Sequence, residues 1–180
     1  MSIYIVLLRG INVGGRNTLP MKELVVLLED LGCQNVKTYI QSGNAVLQSS
    51  KTASRLSSQI GVEIKRRRGF EPHVLLLELK DFARAIAANP FPAEAESDPK
   101  GVHLGFLDTV PPQPDLDKIS ALAAKTERFQ LINKVFFLHA PDGVGRSKLA
   151  ANSEKLLGVA MTVRNWRTVS TIRDMAKEFE

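Results

Sequence analysis

The sequence predicts an α+β fold in which one element order, β-α-β-β-α-β-α, occurs twice. Three observations carry this expectation. Apolar residues alternate between strand and helix periods in the same succession in both halves. Each half holds one tight hairpin signal, Ser42-Gly43 and Asn133-Lys134. Between them Asn89-Pro90-Phe91-Pro92 breaks the pattern, and an acidic, proline-bearing stretch runs on to Lys100.

In the first half, Ile3–Leu8 reads as a strand. A helix runs from Pro20 to Leu31, with Leu24, Leu27, Leu28 and Leu31 on one face, Thr18 as its N-cap, Pro20 in the first turn and Gly32 just past its end. Val36–Gln41 and Asn44–Gln48 pair around Ser42-Gly43, which places Gln41 opposite Asn44. A helix over Thr52–Arg68 buries Ala53, Leu56, Ile60 and Ile64. Strand His73–Leu79 and a short helix near Asp81–Ala88 close the half.

The second half repeats the order: strand Val102–Leu107, helix Asp115–Lys125, strands Arg128–Ile132 and Val135–His139, helix Ser147–Leu157, strand Ala160–Arg164 and helix Thr168–Phe179. No residue-by-residue repeat accompanies it. β-α-β-β-α-β is the split unit of ferredoxin-like (α-β plait) folds, an antiparallel sheet with two helices on one face. The expected organisation is two such units in tandem, each with an extra C-terminal helix: residues 1–90, a linker over 91–100, and residues 101–180.

Composition bounds the function. The 180 residues are 44% hydrophobic, with a mean hydropathy of −0.06, enough to bury a sizeable core. No run approaches the roughly eighteen apolar residues of a membrane-spanning helix, so no membrane partner is expected. MSIYIVLLRG lacks a basic n-region and a small-residue cleavage site and reads as a first strand. Cys33 is alone, which excludes an internal disulfide framework and fits the cytoplasm. The net charge of +5 is concentrated: residues 51–70 carry Lys51, Arg55, Lys65, Arg66, Arg67 and Arg68 against Glu63 alone.

Topology then gathers residues. In a ferredoxin-like unit the loop after the first strand, the hairpin turn and the loop before the fourth strand share one end. In the first unit these are LRGINVGGRN, QSGN and RRRGFEPH. Arg9, Asn12, Gly14, Gly15, Arg16, Tyr39, Gln41, Ser42 and Asn44 should therefore meet there, beside Arg66–Arg68. Glycines let a ligand approach the backbone. A helix start offers unpaired N–H groups and partial positive charge. Arginine adds bidentate bonds to an anion. The expected ligand is a phosphate-bearing small molecule or nucleotide, although INVGG matches neither the P-loop nor the dinucleotide spacing.

A second polar set, Arg146, Ser147 and Lys148 with Arg164, Asn165 and Trp166, falls at the opposite end of the second unit. Ser147 reads as a helix cap rather than a nucleophile, with Thr168 capping the last helix. His73, His103 and His139 lack paired ligand spacing, so no metal site is expected. No cofactor is indicated.

LLRGINVGGRN, TYIQSGNAV, NPFP, GRSKL and TVRNWRTV together resemble a bacterial domain-of-unknown-function family, numbered sixteen ninety-seven. The pattern spans essentially the whole chain, matching Arg9 to Gly15, Tyr39 to Asn44, Arg146 to Leu149 and Arg164 to Trp166. The resemblance implies a cytoplasmic bacterial protein with two α-β plait units. It carries no established activity. Arg167 departs from it, since the family more often has a small polar residue there.

Three function classes follow: a phosphate-ligand binding module at the glycine loop; nucleic-acid binding through the basic 51–70 stretch; and a transferase-type enzyme acting in a cleft between the units, for which Tyr39 and Ser147 are the nearest candidates for base or nucleophile. The recognition sheets of RNA-binding plaits display aromatics on central strands. Strand Asn44–Gln48 has none. Ile3–Leu8 and Val74–Leu77 are apolar on both faces, which points to sheets covered on both sides, by the other unit or by self-association.

Overall fold

The computed structural model describes every residue, Met1–Glu180. Strand β1 (Ser2–Arg9) leads to helix α1 (Met21–Asp30), strands β2 (Gln34–Tyr39) and β3 (Asn44–Ser49), helix α2 (Ala53–Arg68), strand β4 (His73–Glu78) and helix α3 (Leu79–Ala87). A short helix α4 (Pro92–Ser97) follows. Then come β5 (Val102–Leu107), α5 (Leu116–Leu122), β6 (Arg128–Ile132), β7 (Val135–His139), α6 (Lys148–Leu157), β8 (Met161–Asn165) and α7 (Trp166–Lys177).

The strands form two four-stranded antiparallel sheets, in the orders β2-β3-β1-β4 and β6-β7-β5-β8. Each is the ferredoxin-like arrangement, with the first strand of the unit central. The same main-chain bond ties the end of the unit's first strand to the hairpin turn in both. Leu8 N–H donates to Gly43 O at 2.8 Å, and Leu107 N–H donates to Lys134 O at 2.8 Å.

Period-two alternation assigns the faces. In the first unit Tyr4, Val6, Leu8, Ala45 and Leu47 pack with Leu24, Leu28, Leu56, Ile60 and Ile64 of α1 and α2. Burying each large aliphatic side chain there stabilises by about 1.5–3 kcal/mol. The residues between them, Ile5, Leu7 and Val46, are buried on the other face. In the second unit Leu107, Phe136, Leu138 and Met161 pack with Ile119, Leu149 and Leu157, while Leu104, Phe106, Phe137 and Thr162 are buried on the opposite face.

Local chemistry sets the element ends. Helix α1 stops in a Schellman motif, with Gly32 N–H donating to Glu29 O and Cys33 N–H to Leu28 O. Its start differs from the sequence expectation. Pro20 is extended and α1 begins at Met21, so Thr18 is not its cap. Thr18 O instead accepts a bond from Arg68 Nε at 2.8 Å. The β2–β3 hairpin also differs. Tyr39, not Gln41, faces Asn44, across a four-residue connection closed by Asn44 Nδ2 donating to Tyr39 O at 3.0 Å.

The chain divides into two compact units: Met1–Arg84 with Thr171–Glu180, and Ala85–Ser170. This departs from a 1–90, 91–100, 101–180 division at three places, the first being the boundary, which falls between Arg84 and Ala85. Residues 91–100 hold helix α4, which begins with Pro92 at its first position. The C-terminal ten residues belong with the first unit. There Glu178 pairs with Lys37 of β2, and the Lys37 ammonium lies 5.3 Å from the centre of the Phe179 ring. No helix is long and apolar enough to cross a membrane.

Candidate functional site

The glycine loop of the first unit is a braced hairpin. Val13 and Arg16 form an antiparallel bridge, with Arg16 N–H donating to Val13 O at 3.0 Å. Gly14 and Gly15 between them have φ of 58° and 73°, which makes a two-residue type I′ turn, a conformation other residues adopt at a cost. Asn12 ties this hairpin down. Its Oδ1 accepts from Leu19 N–H at 2.8 Å, and its Nδ2 donates to Leu19 O at 2.9 Å and Gln41 O at 2.8 Å.

The topology does gather the expected residues. Arg9 pairs in register with His73, Leu7 with Asn44, and Asn12 reaches Gln41. Arg9, Asn12, Gly14, Gly15, Arg16, Tyr39, Gln41, Ser42 and Asn44 share one end of their sheet. Their polar atoms mostly serve the fold, however. Asn44 is fully buried and its Nδ2 donates to Tyr39 O and to Ser42 Oγ at 2.9 Å. Gly43 packs so closely that a Cβ would lie 2.6 Å from Leu8 Cβ. At the start of α1, Glu23 already supplies a carboxylate, paired with Arg68 at 3.2 Å.

The basic stretch is likewise paired within its own unit. Arg66 and Arg67 both bond Glu63, at 2.6 Å each, and hold its carboxyl down at about 2. Arg67 also reaches Asp30 at 2.8 Å, and Lys65 lies 3.7 Å from Glu71. Lys51 Nζ donates to Leu31 O and Gln59 Oε1. These pairs lower the positive field that a phosphate backbone would meet.

The second polar set lies at the opposite end of its unit, where β5 starts and β7 and β8 end. Val102 pairs with His139 and His103 with Asn165. Ser147 is buried and its Oγ accepts from Ala150 N–H at 3.0 Å, the capping role read from the sequence. Asn165, not Thr168, caps α7: its Oδ1 accepts from Thr168 N–H at 2.9 Å. Burial pushes the partly buried Arg164 guanidinium down to about 10. Trp166 is half-buried at the first position of α7, and Arg146 and Lys148 are exposed.

Beside this set the second unit holds a cavity of about 280 Å³ between α6 and the sheet. Gly105, Phe136, Leu138, Met161 and Val163 floor it, Ala150, Ala151 and Ser153 of α6 roof it, Val144 overhangs it, and His103 stands at one end. Small side chains keep it open. Ala150, Ala151 and Ser153 project little from α6, and Gly105 leaves the space over the middle of β5 to Met161. A Cβ on Gly105 would meet Met161 Sδ at 2.4 Å, so Met161 lies over that strand.

The sequence reading missed this site. It singled out Arg146, Ser147, Lys148, Arg164, Asn165 and Trp166, which flank the cavity in sequence but do not line it. The signals were a glycine inside an apolar strand, which marks close approach or missing volume, and the run Ala150-Ala151-Asn152-Ser153 where a helix facing a core ordinarily carries larger residues. His103 read only as a failed metal ligand. No group of three or more His, Cys, Asp or Glu side chains could hold a metal ion.

Comparison with known proteins places the whole architecture. A solved structure titled as that of conserved bacterial protein SP0830 from Streptococcus pneumoniae superposes with a TM-score of 0.71 at 28% sequence identity, covering 97% of this chain and 98% of that one. No curated protein matches the sequence. The family model described as protein of unknown function (DUF1697) matches residues 1–137, from β1 into β7, and this chain belongs to that family.

Proposed function

We propose that the protein is a small-molecule-binding protein whose site is the cavity beneath α6 in the second unit. One observation carries the reading: a cavity of about 280 Å³ walled mainly by apolar side chains, with a single histidine at its end. Ligand sites are typically concave, largely apolar, and carry few polar groups. Val144 and Val163 at its rim are 38% and 41% exposed, so apolar surface continues from solvent into the cavity. A one- or two-ring molecule matches the volume.

Neither a phosphate ligand at the glycine hairpin nor a nucleic acid along α2 is the reading we adopt. The hairpin amides are engaged by backbone, and the cations at the end of α2, Lys65 to Arg68, already face carboxylates. The lone Cys33 is buried, which suits a reducing compartment, and we place the protein in the cytoplasm on that ground.

The test is a thermal-shift screen of one- and two-ring compounds on the wild-type chain and on Ala151→Phe, which adds a ring at an exposed position of the cavity roof. Ligand at about 100 times its dissociation constant stabilises by roughly 2.7 kcal/mol, a rise of roughly 5–10 °C at this chain length. The variant should keep its own melting temperature and lose the ligand-induced rise. Equal rises in both proteins would reject the site.

A further inference from the structure

The polar groups of the cavity are oriented in a way that selects its ligand. Two lining side chains carry hydrogen-bonding atoms, His103 and Ser153. His103 Nδ1 lies 3.2 Å from Gly101 O. A carbonyl oxygen can only accept, so Nδ1 carries the proton and Nε2 of the neutral ring is left as an acceptor. Gly101 O also accepts from Ala140 N–H at 2.9 Å, which holds the carbonyl in place and fixes the tautomer. Ser153 Oγ–H donates to Ala150 O at 3.0 Å within α6. Its proton is thereby directed away and its lone pairs remain. Burial draws the His103 pKa down and favours the neutral ring, with the Gly101 hydrogen bond and Asp98 opposing that shift and His139 adding to it. The cavity lining thus offers acceptors.

Resting on the binding role assigned above to this cavity, we infer that its ligand is a neutral molecule with an aromatic or alkyl body and one O–H or N–H donor directed at His103 Nε2. A phenol, an alcohol or an indole-type N–H satisfies this. A carboxylate or phosphate does not, because an anion entering the cavity would meet lone pairs rather than protons. Leaving a buried anion without donors costs more than the apolar contacts return.

The experiment compares three probes of similar shape on the wild-type protein: 1-naphthol, 1-methylnaphthalene and 1-naphthoate. Dissociation constants come from NMR titration, and the His103 ring nitrogens are followed by ¹⁵N correlation spectra. Naphthol should bind roughly tenfold more tightly than methylnaphthalene, the factor expected for one net hydrogen bond, and should shift Nε2. Naphthoate should be the weakest. In His103→Phe the preference for naphthol should vanish while methylnaphthalene still binds. If naphthol and methylnaphthalene bind wild type equally with Nε2 unmoved, or naphthoate binds best, the donor requirement is overturned while the cavity stands as a site. If none of the three binds, the binding role itself falls. The wild-type comparison decides the matter even where the variant folds poorly.

Discussion

His103 shows how one side chain acquires its properties from position. It is the second residue of β5, a central strand of the second unit, two positions after Gly101, and it is buried against the cavity. Its folded pKa lies below the ordinary value of 6.5, with burial the main cause. Below 6.5 the unfolded chain takes up a proton that the folded chain refuses. Stability is therefore complete above that value and is lost progressively as pH falls from 6.5 toward the folded pKa. Urea unfolding at pH 7.5 and pH 5.0 should show a larger loss in wild type than in His103→Gln. Equal losses would mean that the ring is solvated rather than buried. From the sequence, His103 was visible as a histidine in a strand. Its tautomer was not, because that depends on the carbonyl of Gly101, a backbone atom that no side-chain pattern marks.

At the scale of elements, the strands and long helices were legible because apolar periodicity and turn residues agree. Strands β5, β6 and β7 fall where their sequences place them. Helix α4 was not legible, since six residues rich in alanine and glutamate give no periodic signal. The β2–β3 connection is two residues longer than the Ser42-Gly43 signal predicts, because Asn44 pairs with Tyr39 and closes the turn through Tyr39 O. The glycine hairpin is an element of the same kind. It is held to the β2–β3 connection by Asn12, and removing that side chain leaves Leu19 N–H and C=O without their partner. Asn12→Ala should cost about 1–3 kcal/mol in urea unfolding and speed amide exchange across residues 12–19. A variant with unchanged stability and exchange would show that the hairpin is held by its Gly14-Gly15 turn alone. Such bracing explains why a loop rich in glycine, asparagine and arginine looks like a ligand site in sequence: the same atoms that could bind an anion also bind main chain.

At the scale of the whole molecule, the order of elements was enough to expect two plait units, and each has the corresponding sheet. The sequence did not reveal that residues 171–180 belong with the first unit, because the Lys37 pairing with Glu178 joins residues 141 apart. Nor did it reveal the cavity. Missing volume is a property of side chains brought together from β5, β7, α6 and β8, and each of these segments alone is an ordinary apolar stretch with a few small residues. The central claim, that the second unit binds a small molecule beneath α6, is tested most directly by a methyl NMR titration of the intact chain with 1-naphthol. The account predicts saturable shifts at the methyl groups of Leu138, Val144, Ala150, Ala151, Met161 and Val163. Shifts centred instead on Val13 at the glycine hairpin, or none up to the solubility limit of the probe, would contradict it.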